Sequence, residues 1–90
     1  MKALKINPTT RTTEFAEMTE PEINKYVGGY IIELNDLNNG MAIHSDLMAS
    51  GASFIHAGKE YAGNCVMTGI SRFGRALDMP DDVFPVIEWR

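Results

Sequence analysis

Apolar and polar residues change rhythm several times along the chain, and each rhythm predicts an element. Ala3-Leu4-Lys5-Ile6 alternates imperfectly and reads as a short first strand, broken by Pro8. Thr12 to Ala16 is polar and threonine-rich. Threonine favours extended chain, so a second strand at a sheet edge is predicted there. Thr19-Glu20-Pro21-Glu22 is a helix start. Thr19 can cap the first turn, Glu22 stands three residues later as in a capping box, and proline is tolerated where its missing N–H has no helical partner. Ile23, Tyr26 and Val27 are spaced as one apolar stripe, and Gly28-Gly29 should end the helix.

Tyr30 to Leu34 then reads as a strand rich in β-branched and aromatic residues. Asn35 to Gly40 is turn chemistry, with Met41 to His44 returning as the partner strand. Asp46 to Gly51 fits one helical turn or a loop, and Ala52 to Gly63 shows no clean period and stays unassigned. Asn64 to Arg72 is a strand, Gly74 a turn or bulge, Arg75 to Asp78 a possible continuation of the sheet, and Pro80-Asp81-Asp82 another turn. The expected fold is α+β, one domain over residues 1–90. It is a small, mainly antiparallel sheet of about four to five strands with one short helix across it.

Composition fits that picture. Hydrophobic residues make up 44% and charged residues 22%, which is a globular rather than a disordered balance. No apolar run approaches the roughly 20 residues that cross a bilayer. MKALKINP carries two lysines without an apolar run behind them, so no secretion signal is read there. Cys65 is the single cysteine, which excludes an internal disulfide and suits a cytoplasmic protein. Net charge is -4, and no Lys or Arg lies between Lys25 and Lys59. Binding along a nucleic-acid backbone needs clustered cations and is not expected. The early carboxylates Glu14, Glu17, Glu20 and Glu22 are too few to mimic DNA and read as a solvated face.

Three stretches together resemble a known family. They are MKALKINP, the helix running into Tyr26-Val27-Gly28-Gly29-Tyr30-Ile31-Ile32-Glu33-Leu34, and Ala62-Gly63-Asn64-Cys65-Val66-Met67-Thr68-Gly69. The chain resembles domain of unknown function 3846, an uncharacterised family found largely in bacteriophages, prophages and mobile elements. The likeness spans most of residues 2 to 75. It departs at the hairpin, where Ile43-His44-Ser45-Asp46 replaces the acidic turn of many members. The resemblance implies an origin, and a host-cell cytoplasm as the place of action, rather than a reaction.

Candidate chemistry is sparse. Gly28-Gly29 is preceded by a helix and followed by a strand, the reverse of a phosphate loop, so the pair reads as a left-handed helix cap and joint. Gly29 is expected at positive φ. His44, His56, Asp46 and Cys65 are the residues that could bind a metal, without the paired spacing of zinc sites, so no metal and no cofactor are expected. Cys65 inside an apolar strand reads as a small buried hydrophobe. Ser45, His44 and Asp46 name a hydrolytic triad but lie adjacent, with no nucleophile elbow. Asp81 and Asp82 read as turn residues before acid–base groups.

Two segments remain as binding candidates. Arg72-Phe73-Gly74-Arg75 combines arginine forks with an aromatic ring, so Arg72, Phe73 and Arg75 are the candidate contacts for a ligand or partner. The bland reading is a hairpin tip with solvated arginines and a core Phe. The tail Val83-Phe84-Pro85-Val86-Ile87-Glu88-Trp89 is apolar enough to predict a homodimer through Phe84, Ile87 and Trp89; the other outcome is a tail folded on its own sheet. With no catalytic constellation in view, the chain is expected to be a non-enzymatic accessory protein of a phage or mobile element that binds a host protein. The alternative is capture of a small, nucleotide-like anion in counter-defence.

Overall fold

The computed structural model describes residues 1–29, 32–37 and 40–90 of the chain. In chain order the elements are β1 (Lys2–Asn7), β2 (Thr12–Glu17), α1 (Glu20–Val27), β3 (Ile32–Asp36), β4 (Met41–Asp46), β5 (Ser53–His56), β6 (Lys59–Ala62), β7 (Cys65–Ile70), β8 (Ala76–Leu77) and β9 (Glu88–Trp89). The main sheet runs β2-β1-β7-β4-β3, with β8 paired to the end of β7, and every pairing is antiparallel. A second sheet runs β6-β5-β9.

Alternation along the central strands creates three layers, because successive side chains of a strand point to opposite faces. Leu4, Ile6, Met41, Ile43, Cys65 and Met67 share one core with Phe54, Tyr61 and Met79. Ala3 and Val66 share the other with Ile23 and Val27 of the helix and with Met18. The helix therefore covers one face of the main sheet and the small sheet covers the other. Phe54 organises the small sheet. It lies opposite Tyr61 on β6 and Trp89 on β9, stacking on the first at 5.5 Å and meeting the second edge-on at 6.3 Å. Burying a side chain of that size contributes roughly 1.5–3 kcal/mol.

The helix forms as its sequence requires. Glu22 N–H donates to Thr19 Oγ1 at 3.3 Å, and Thr19 N–H donates to a Glu22 carboxylate oxygen at 3.0 Å, completing the capping box. Gly28 closes it at φ 83°, with its N–H on the Asn24 carbonyl at 2.9 Å. Gly29 is not at positive φ, contrary to the expectation above. Its requirement is space, since a Cβ there would stand 2.3 Å from Cγ of Asp46.

The α+β class, the antiparallel sheet and, among the described residues, the single short helix agree with the sequence. The unassigned stretch 52–63 is the β5–β6 hairpin, turning through Ala57 at φ 51° and Gly58 at φ 80°. Two central residues at positive φ make the tight turn that suits twisted hairpins. Asp46 ends β4, and residues 47–51 form the loop alternative, a turn and bend rather than a helical turn. The strand expected from Tyr30 begins, as described, at Ile32; Tyr30, Ile31, Asn38 and Asn39 lie outside the described residues.

Candidate functional site

The β7–β8 connection carries Arg72, Phe73 and Arg75 out from the sheet. Ser71 braces it. Its Oγ accepts from Phe73 N–H at 3.2 Å and Arg75 N–H at 3.1 Å. Its backbone N–H donates to the Arg75 carbonyl at 2.9 Å, and its carbonyl accepts from Gly74 N–H at 3.0 Å. The tip is thus a closed, internally bonded turn. Phe73 is 81% exposed, so it is no core residue, and the Arg72 guanidinium sits 5.3 Å from its ring centroid. Among the described residues no carboxylate pairs with Arg72 or Arg75.

Beside this tip lies a cleft of about 170 Å³. Glu20, Ile23 and Asn24 of the helix form one wall, Gly74 and Ala76 the other, and Leu34 and His44 the floor. His44 sits there because β4 points its even-numbered residues at the helix while Met41 and Ile43 enter the opposite core. Its Nε2 lies 2.9 Å from Oγ1 of Thr68, a buried pair across β4 and β7. Burial holds the imidazole below its ordinary pKa, partly offset by the Glu20 carboxylate. The floor is therefore neutral near pH 7, and Glu20 contributes the carboxyl group of the wall.

The other candidate residues do not assemble. Cys65 is fully buried on the face opposite His44, and burial pushes its thiol up to about 12, so it holds its proton. His56 lies in the second sheet, with Nδ1 3.0 Å from the Val86 carbonyl oxygen. Ser45 and His44 are adjacent on one strand, so their side chains leave by opposite faces, and no triad forms. Among the described residues no three of His, Cys, Asp and Glu gather as a metal site would need. Asp81 accepts from Lys2 Nζ at 2.7 Å, and that bond holds its carboxyl below the usual range; Asp82 is an exposed turn residue.

The tail is divided. Ile87 and Trp89 are partly buried against the chain's own core. Phe84 is exposed and meets Phe15 edge-on at 6.4 Å. Sequence reasoning named the arginines and the ring but missed Ser71, Glu20 and Asn24. Serine at the first and glycine at the fourth position of Ser71-Arg72-Phe73-Gly74 is a turn signature that could have flagged the brace. Nothing local in the sequence brings the helix start beside that turn.

No helix among the described residues is long and apolar enough to cross a membrane. Comparisons with family models, with curated proteins and with solved structures find no match.

Proposed function

We propose that the protein is a non-catalytic accessory factor that binds a host protein through the Arg72–Arg75 tip and the adjoining cleft. The carrying observation is their juxtaposition. A hydrogen-bonded turn presents an exposed aromatic ring together with two arginines that no carboxylate pairs among the described residues, next to a hollow large enough for one side chain. Aromatic and arginine anchors dominate protein interfaces. The fitting partner surface has an apolar depression ringed by carboxylates. A mobile-element origin and action in the host cytoplasm belong to the same proposal.

The nucleotide-like reading is the weaker one. Sites for drug-sized ligands run from about 300 Å³ upward, and the cleft of about 170 Å³ is smaller and carries the Glu20 carboxylate on its wall. Affinity capture from bacterial lysate tests the proposal. The wild-type chain should retain a host protein, and Phe73→Ala with Arg75→Ala should weaken that binding by about 30-fold, the effect of losing one hot spot of about 2 kcal/mol. Retention unaffected by both changes, or a nucleotide released on denaturing the purified protein, would reject it.

A further inference from the structure

We propose that the outer edge of β2 pairs with the same edge of a second copy, antiparallel about a two-fold axis at Phe15. The inference is separate from the tip and cleft and does not depend on them.

The ladder fixes which backbone groups of β2 are free. Met1 and Met18 exchange both hydrogen bonds, N to O at 2.8 Å in each direction. Residues opposite one another alternate between bonded and non-bonded pairs in an antiparallel ladder. In the β1–β2 register, Ala3 faces Ala16, Lys5 faces Glu14 and Asn7 faces Thr12, so these are the bonded pairs. Thr13, Phe15 and Glu17 therefore turn their N–H and C=O groups away from β1. β2 is the terminal strand of the sheet among the described residues, so those groups form an open edge there, a template for another strand.

The side chains select the partner and the register. Across a two-fold, facing residues must share a face of the joined sheet. Centred on Phe15, the register sets Phe15 against itself, Thr13 against Glu17 and Glu14 against Ala16. All outward donors and acceptors are then satisfied, and no carboxylate opposes another. Centred on Glu14, it would set two carboxylates directly opposed, which destabilises a sheet pair. The Phe15 register also gathers apolar surface. Phe15 is 37% and Phe84 is 76% exposed, and they form an edge-on pair. The two-fold brings both pairs together on one face, with Lys2 Nζ 4.7 Å over each Phe15 ring. A strand from an unrelated protein would meet Glu14 and Glu17 without this self-complementarity.

Light scattering at hundreds of micromolar should give a mass near twice the chain's 10.0 kDa. Thr13→Pro removes an outward N–H and leaves the β1 ladder intact, so it should raise the dimer dissociation constant at least about tenfold. Phe15→Cys should form a disulfide-linked dimer in air, because facing Cα atoms of a bonded pair stand about 5.5 Å apart. Glu17→Cys should not, since Glu17 faces Thr13. Cys65 is buried and does not compete. A monomeric wild type, a dimer indifferent to Thr13→Pro, or equal crosslinking at both cysteine positions would overturn the proposal. If Thr13→Pro fails to fold, the cysteine pair decides.

Discussion

Gly28 and Gly29 stand side by side for different physical reasons. Gly28 holds a left-handed backbone at φ 83°, and the nearest atom to an added Cβ is 3.8 Å away. Gly28→Ala should therefore cost about 1 kcal/mol of backbone strain and nothing more. Gly29 is not at positive φ, but a Cβ would overlap Cγ and Cβ of Asp46; rotating the side chain can move Cγ, whereas Cβ is fixed by the strand backbone. Gly29→Ala should cost about 1–3 kcal/mol by overpacking. Urea melts of the two variants check this, and an unchanged midpoint for Gly29→Ala would show that Asp46 yields freely. His44 supplies a pH dependence. Its folded pKa lies below the ordinary 6.5, so the unfolded chain takes up the proton first as pH falls. Its contribution is complete above 6.5 and declines below it, toward the folded pKa. The stability lost between about pH 7.5 and about pH 5.5 should be smaller in His44→Gln than in wild type. Identical losses would mean that the imidazole titrates alike in both states.

At the scale of elements, local chemistry decides what sequence can reveal. The helix was legible to the residue at both ends because Thr19, Glu22 and Gly28 act on their own backbone. Thr19→Ala should cost about 1 kcal/mol by removing the cap, measured as a shift of the urea midpoint. No loss would mean that the packing of Ile23 and Val27 alone sets the helix start. The strands β1, β2 and β7 were legible because their residues alternate or are β-branched, and β4 because the turn chemistry of Asn35 to Gly40 calls for a returning partner. The β5–β6 hairpin was hidden because Ala57-Gly58 lacks the asparagine or aspartate that usually marks such a turn. Its inward residues Phe54 and Tyr61 also lie among polar neighbours too irregular to show a period. The candidate site was half legible. The tip is contiguous in sequence, whereas the cleft joins Glu20, His44 and Ala76 only through the pairing of β4, β7 and β8.

On the whole molecule, the apolar tail proves to serve two ends. Trp89 closes the second sheet against Phe54, and Trp89→Ala should cost about 2–4 kcal/mol, near the range for large core truncations. Phe84→Ala, at an exposed ring, should change stability by less than about 0.5 kcal/mol. Thermal melts of the pair separate the roles, and equal losses would place Phe84 in the core as well. The layered body thus holds the Arg72–Arg75 tip at one end of β7, outside both cores, while the cleft beside it borders the helix-side core at Ile23. The most direct test of the binding account is an amide NMR spectrum of isotope-labelled protein in unlabelled bacterial lysate. Shifts and broadening should concentrate at residues 71–76, at the start of α1 and at His44, and should vanish in Phe73→Ala with Arg75→Ala. A spectrum unchanged from buffer, or changes that leave the tip untouched, would contradict it.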